Sequence, residues 1–571
     1  MLNKNIIENE RYYIYGINRV AKDFMYIFDW INIEGIFEDK YQERYFNGIP
    51  IVGLEQQILK EKSHKIILCD FDKTSKIQRC EEFGLKRKKD YFCEEDFFEL
   101  LNTRFEIPKD KRVVLWGIGQ NGKKYYEKYL IGKVEFCVDM YSTQLKFENI
   151  PVKKPDEIYD WSNLFIVVTP RDNSLIIKAL QNRGLKEGEN YILADRLTYD
   201  SVSLLKATMF DKNYYDLQCQ TILNHLEILG GGRAGTCCMT FMHQSIGNIA
   251  NQPINQVWGN MIHKILALSI VNHTYSFCDK DMCPYFIGRN SEVDINIDGE
   301  YKQIEEFPSV VAIGYDSSCN LKCATCRKKV YIAQGEKRDE LCAISRRLNE
   351  EIIRKSKFLI MAGDGEVFAS EAYRTVYRSD AMKYPKFIRI LSNGTLFNEK
   401  NWIDFKAKVQ GKVLATFSID AASKETYEKI RIGGDFEKII ANMEYASKLR
   451  KKGELSYLRL NFVVQNLNYM EMEDFVKWGL QLDVDEVFFT KILNWGTYSE
   501  EQFEKISMFE KDTVTPKPEL QEILNRPIMK NKIVDLGTIQ YAHQKVEGDD
   551  FYNYYMWELE RKIPKLFENN K

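Results

Sequence analysis

The sequence predicts an α/β protein in which strand–helix units follow one another through most of the 571 residues. Three observations carry this expectation. The first 200 residues repeat themselves at a fixed offset. Six apolar runs between residues 309 and 491 sit in a recurring pattern of strand, polar or glycine-rich turn and helix. A tight group of cysteines lies on the loop after the first of those runs. Expected boundaries are 1–106 and 107–206 for two repeats, 207–300 for a small cysteine-bearing module, 301–500 for a barrel and 501–571 for a helical extension.

Composition narrows the class. Apolar residues make up 44 % and charged residues 29 %, ordinary values for a globular chain. With 81 Lys+Arg against 83 Asp+Glu, charge gives no reason to expect nucleic acid or an anionic membrane as partner. The N-terminal MLNKNIIENERYYIYG has no apolar h-region, and no run of 18 apolar residues follows, so a cytoplasmic protein without signal peptide or membrane span is expected. Thiols stay reduced in that compartment, so cysteine clusters read as metal sites before they read as disulfides.

The repeat is read by direct comparison. IYGINRVAKDF (14–24) matches LWGIGQNGKKY (115–125), GIPIVG (48–53) matches NIPVKK (149–154), and FGLKRKKDYF (83–92) matches RGLKEGENYI (183–192). Each copy alternates β and α elements, which implies a parallel sheet with helices on both faces, a Rossmann-like arrangement. In copy two Val113-Val114-Leu115 is a short strand and LFIVV (164–168) a second, followed by the helical DNSLIIKALQNRG (172–184). Gly117, Gly119 and Gly122 have the G-x-G-x-x-G spacing between strand and helix, and Asp139 lies about 20 residues on, where a ribose hydroxyl is bound. A nucleotide is therefore a candidate ligand of copy two, and a glycine turn that only packs helix on strand is the alternative. Copy one keeps Gly16 and the acidic Asp39 but lacks the other two glycines.

The strand SVVAIGY (309–315) runs into Cys319, Cys323 and Cys326, spaced C-x3-C-x2-C. Three thiolates from one loop ligate three irons of a cubane that ordinarily takes four cysteines, and the fourth iron stays open to a small ligand. A zinc knuckle or incidental thiols are the alternatives. Zinc sites pair C-x2-C with a second pair or histidines, and the nearest histidines here are His273 and His543.

At this point the sequence resembles the radical S-adenosylmethionine (SAM) superfamily, whose signature is CxxxCxxC after the first barrel strand. The likeness covers about residues 305–500. FLIMAGDGE (358–366) resembles the glycine motif of the second strand, so the resemblance places Gly363, Asp364, Gly365 and Glu366 against the amino group of SAM; Asp364 and Val367 depart from the usual GGEP. IRILSNGTLF (388–397), with Asn393, resembles the third strand and its loop. The resemblance puts Ser418 and Asp420 at the SAM ribose, Arg431 at its carboxylate, Val464 near adenine and Asn468 just beyond. DEVFFTKILNWG (485–496) fits the sixth strand. Without the family, six βα units in series still give a partial (β/α)6 barrel of the TIM type with its chemistry at the C-terminal strand ends. Each polar residue named sits at such an end, where capping or turn formation is the alternative role.

Upstream, Cys219 and Cys237 flank Gly232, then follow Gly247-Asn248-Ile249 and Cys278 and Cys283. This resembles the SPASM or twitch auxiliary-cluster module, here placed before the barrel. The resemblance implies a second 4Fe–4S cluster on Cys219, Cys237, Cys278 and Cys283. Gly232 allows the hairpin that joins the first two. Cys238 could replace Cys237, and a zinc site or buried free thiols remain as alternatives. Cys342 is a spare candidate or a core residue. YNYYMWELERKIPKLF (552–567) reads as helix, a cap over the barrel mouth or a dimer contact.

What the resemblance implies is an enzyme. A reduced 4Fe–4S cluster cleaves SAM to a 5′-deoxyadenosyl radical that abstracts a substrate hydrogen, leading to oxidation, epimerisation or bond formation. An electron donor such as flavodoxin or ferredoxin is implied as partner. The tandem Rossmann-like repeats favour a sugar- or nucleotide-linked small molecule. A peptide-modifying maturase is the alternative, and a non-catalytic nucleotide-binding iron–sulfur protein the rival from another class.

Overall fold

The computed structural model describes residues 7–38, 44–46, 48–53, 64–70, 72–101, 107–170, 174–198, 205, 208, 214, 219, 221–238, 242, 244–278, 283, 303–327, 329–361, 363–493, 498–510 and 515–539. Asp39 and the segment 552–567 lie outside them. Among the described residues no helix is long and apolar enough to cross a membrane.

The chain forms three sheets rich in parallel strands. The first holds β1 (Tyr12–Tyr15), β2 (Ile33–Phe37), β3 (Tyr45–Phe46), β4 (Ile49–Val52), β5 (Lys65–Leu68) and β6 (Tyr91–Cys93), in the order β3-β4-β2-β1-β5-β6. The second holds β7 (Arg112–Trp116), β8 (Val134–Val138), β9 (Lys146–Phe147), β10 (Ile150–Lys153), β11 (Leu164–Val168) and β12 (Tyr191–Leu193), in the same order shifted by one copy. Central strands such as β11 are apolar throughout because both faces are covered by helices or loops. Among the described residues, only the β3–β4 and β9–β10 pairs are antiparallel within these two sheets.

The copies bury themselves differently. Copy two closes its own core on each side of its sheet. In copy one, Phe24 and Ile27 of the helix Arg19–Ile27, with Phe28 that caps its end, join the large central core. That helix packs there against the helix Met261–Val271. Polar contacts mark the junction: Asn272 donates to both oxygens of the buried Asp23 (3.1 and 3.2 Å), and Arg19 donates to the Thr208 carbonyl at 2.9 Å.

The third sheet has ten strands. They are β13 (His225–Leu229), β14 (Arg233–Gly235), β15 (Gly247–Asn248), β16 (Val310–Gly314), β17 (Phe358–Met361), β18 (Phe387–Ser392), β19 (Lys412–Ser418), β20 (Tyr457–Val464), β21 (Glu486–Lys491) and β22 (Val534–Asp535). The order is β15-β14-β13-β16-β17-β18-β19-β20-β21-β22. Strands β16 to β21 are the six parallel runs read from the sequence. Helices Gly335–Glu351, Glu371–Tyr377, Glu399–Lys406, Phe436–Lys451 and Met472–Leu482 connect them. Two further strands extend this array in parallel, β13 beside β16 and β22 beside β21. The segment 207–300, expected as a unit of its own, thus gives β13–β15 to the ten-stranded sheet, because β13 finds its hydrogen-bonding partners along β16. Alternation sends Val311, Ile313, Leu359, Ile388, Ala415, Leu460 and Val487 into the central core. Ala312, Ile360, Arg389, Thr416, Arg459 and Glu486 alternate with them and line the opposite face.

Candidate functional site

The cysteine loop leaves β16 at the C-terminal edge of the sheet and is fastened at several points. Asp316, 2 % exposed, accepts from the Ser318 amide at 2.9 Å and from Ser370 Oγ at 2.5 Å; Ser370 in turn caps the helix Glu371–Tyr377. Further along, the Cys319 amide donates to the Tyr331 carbonyl at 2.7 Å. The amides of Lys322 and Ala324 donate to the carbonyls of Ile432 and Ile430, both at 3.1 Å. Cys319 and Cys323 are each 8 % exposed, and Cys326 is open to solvent. Burial raises the Cys319 thiol.

Beside it runs the glycine loop after β17. A methyl group on Gly365 would stand 2.3 Å from the Asp316 carbonyl and 2.8 Å from that of Ser318, so the two loops touch backbone to backbone. Gly363 faces open space. The Glu366 amide donates to the Ser318 carbonyl at 2.8 Å. Its buried carboxylate accepts from Ser392 Oγ (2.8 Å) and the Asn393 amide (2.6 Å), bracing the end of β18. Burial raises that carboxyl, and these hydrogen bonds oppose the rise. Asn393 Nδ2 donates to Asn320 Oδ1 at 3.1 Å and to Cys319 Sγ at 3.6 Å. The Asp364 carbonyl accepts from Arg327, which also donates to the Ser317 carbonyl at 2.5 Å. Sequence reasoning missed Arg327. Its position next to Cys326 was the available signal, since a cation beside three thiolates is rarely idle.

The remaining expected residues gather at the ends of β19 and β20. Ser418 is half-buried and lies opposite Asn461 in register. Asp420, at φ 67°, is buried; it accepts from the Val463 amide at 2.9 Å and pairs with Arg431 at 2.6 Å. Arg431 reaches Cys323 Sγ with Nη1 at 3.5 Å, and its buried Nε has no partner. Asn468 is buried and donates to the carbonyls of Asp420 and Val463, both at 2.9 Å, so it ties the β19 and β20 loops. Val464 packs in the central core on the helix-facing side of β20.

This donor set fits a cubane with one open corner. Three thiols share one fastened loop, the space before Gly363 is open, and a buried guanidinium nitrogen awaits an acceptor. Among the described residues no three His, Cys, Asp or Glu side chains converge as ligands of a single metal ion. A cubane asks for a different arrangement, one thiolate at each of separate iron corners.

The second cysteine set lies beside β13–β15. Gly232 has φ 83°, and a Cβ there would meet the Ala250 amide nitrogen at 2.7 Å, so the β13–β14 hairpin needs glycine. The Ile249 amide closes the turn onto the Gly232 carbonyl at 2.7 Å. Burial pushes the Cys237 thiol well up, and Cys219, Cys238, Cys278 and Cys283 add to the rise, so all four lie within electrostatic reach of it.

In copy two, Gly117 has φ 99° and no room for a side chain beside Pro170 and Thr169 Oγ1. A Cβ on Gly122 would stand 2.1 Å from the Gly117 carbonyl, whereas Gly119 faces open space. Both Asp139 oxygens are engaged by backbone amides: Oδ2 by Ile118 at 3.2 Å, Oδ1 by Tyr141 and Ser142 at 2.9 and 2.8 Å. Packing therefore accounts for two of the three glycines, and turn formation for the carboxylate.

No protein-family model and no curated protein matches the chain. Among solved structures it is similar to Streptococcus suis SuiB bound to the precursor peptide SuiA, with a TM-score of 0.29 and 14 % identity over 40 % of this chain and 48 % of that one. SuiB bound to S-adenosylmethionine gives 0.26 and 16 %, over 34 % and 43 %. Native anSMEcpe with bound AdoMet gives 0.28 and 23 %, over 36 % and 57 %. The chain spans about half the length of these structures, and TM-scores this low fix neither family nor activity.

Proposed function

We propose that this chain is a radical SAM enzyme: Cys319, Cys323 and Cys326 would hold a 4Fe–4S cluster whose open iron would take SAM for reductive cleavage. The observation that carries the reading is the C-x3-C-x2-C loop fastened to the glycine loop at the C-terminal ends of six parallel strands. Bound there, the cluster and SAM together supply a 5′-deoxyadenosyl radical for hydrogen abstraction. The chain's own part is to hold and orient. Gly363 leaves room for the SAM amino group, Glu366 and Asn393 fix the loop edge, and the Asp420–Arg431 pair keeps cationic donors at the cluster side. Water exclusion falls to the buried Cys319–Cys323 face.

Cys219, Cys237, Cys278 and Cys283 are proposed to hold a second 4Fe–4S cluster, with Cys238 as the alternative to Cys237. The electrostatic reach of Cys219, Cys238, Cys278 and Cys283 to Cys237, beside the β13–β14 hairpin, supports it. A sugar- or nucleotide-linked substrate is proposed on the strength of the two Rossmann-like repeats and the open space at Gly119. Anaerobically reconstituted, reduced protein given SAM is expected to release 5′-deoxyadenosine, and Cys323→Ala to release none. Loaded protein that leaves SAM intact would sink the proposal. About eight irons per chain support two clusters, and about four remove the second.

A further inference from the structure

Each thiol of the cysteine loop meets its own polar side chain, and the three side chains come from three places. Asn393, past the end of β18, donates to Cys319 Sγ at 3.6 Å. Arg431, after the helix Lys424–Ile430, donates to Cys323 Sγ at 3.5 Å. Arg327, the residue after Cys326, is held by the Ser317 and Asp364 carbonyls within electrostatic reach of all three thiols. None of the three is free to swing away. The Ser317 and Asp364 carbonyls hold Arg327, and Asp420 holds Arg431. Asn320 Oδ1 accepts from the Asn393 amide, and the Thr395 amide donates to Asn393 Oδ1 at 3.0 Å.

We propose that Asn393, Arg431 and Arg327 are positioning residues that place a hydrogen bond on Cys319 and on Cys323 and a fixed cation beside Cys326, and thereby set the reduction potential of the cluster. The inference rests on the cluster reading above and assigns Asn393 and Arg431 to the thiolates, where the sequence resemblance gives them to SAM. Reduction adds one electron, drawn from an external one-electron donor, and its charge spreads onto the sulfurs. Donors and cations fixed beside those sulfurs stabilise the reduced state more than the oxidised one, which raises the potential. Two guanidinium groups in a half-buried site act more strongly there than they would in water.

The test is an EPR-monitored redox titration of the full reconstituted chain without SAM, with the signal of this cluster identified by its loss in Cys323→Ala. Arg327→Gln is expected to keep its iron and shift the midpoint to more negative potential. Arg327→Lys, which keeps the charge, is expected to shift it less, and Asn393→Ala to give a smaller negative shift. Full iron with an unmoved midpoint in both Arg327→Gln and Asn393→Ala overturns the inference and leaves the cluster reading standing. If Arg327→Gln loses iron, Asn393→Ala and Arg327→Lys decide alone: unmoved midpoints in both overturn the inference, and a negative shift in Asn393→Ala supports it. Wild-type chain that binds no iron through this loop overturns the reading beneath, a result distinct from the others.

Discussion

Gly365 has no room for a methyl group, because the backbone of the cysteine loop lies against its α-carbon. The neighbour is a carbonyl oxygen, which cannot rotate aside as a side chain would. Gly365→Ala is therefore expected to push the two loops apart, costing about 1–3 kcal/mol, and to lower iron retention after reconstitution, read by iron count and a urea melt. The Asp420–Arg431 pair gives a second expectation at this scale. Burial pushes the Asp420 carboxyl up, and the Arg431 guanidinium 2.6 Å away opposes the rise. Asp420→Ala strands a buried cation, and a loss of about 3–5 kcal/mol is expected in urea unfolding. An unchanged midpoint would mean that the pair contributes nothing. The glycine, carboxylate and cysteine positions were legible from spacing along the strands. The partners of Glu366 and Arg327 were not, because a hydrogen bond to a carbonyl some 37 residues away leaves no local pattern.

The helix Met261–Val271 shows the same limit one level up. Its N-cap Asn260 and its apolar length are readable, but its double role as support for the turn Thr221–Leu223 and dock for copy one depends on packing across the whole molecule. Strand β13 was read only as one arm of a hairpin, since parallel pairing with β16 carries no local signature. Inside this element His263 is fully buried. Its Nε2 donates to the Ile222 carbonyl at 2.7 Å and its Nδ1 accepts from the Gly259 amide at 3.0 Å, so the ring is held neutral. Protonating Nδ1 would set two donors against each other. Burial holds the ring down at about 4, below the unfolded value. A histidine with a lowered folded pKa contributes stability that is complete above about pH 6.5 and lost as pH falls toward the folded value. Between pH 7.5 and pH 5 the protein is expected to lose about 2 kcal/mol through this ring. The urea midpoint at the two pH values measures it, and His263→Gln is expected to flatten the difference. Equal pH dependence in the variant would remove His263 as the cause.

The two repeats share a strand order, which the offset near 100 residues anticipates, yet the molecule uses them in opposite ways. Copy two encloses an apolar core on each side of its sheet, with Val113, Leu115, Phe165 and Val167 on one side and Val114, Ile166 and Val168 on the other. Copy one closes one such side through Tyr13, Tyr15, Ile66 and Leu68, but its other side is continuous with the core of the ten-stranded sheet. Removed from the chain, copy one would expose Phe24, Ile27 and Phe28 and leave Asp23 without Asn272. Each of those three apolar side chains forfeits about 1.5–3 kcal/mol of burial, a loss comparable to the whole stability of a small domain. Among the described residues, the two cores of copy two draw on no side chain outside 107–198. A fragment spanning 107–198 is therefore expected to unfold cooperatively in urea, and one spanning 1–106 to show no cooperative transition and to bind hydrophobic dye. Fragments that behave alike would contradict the division of labour read here.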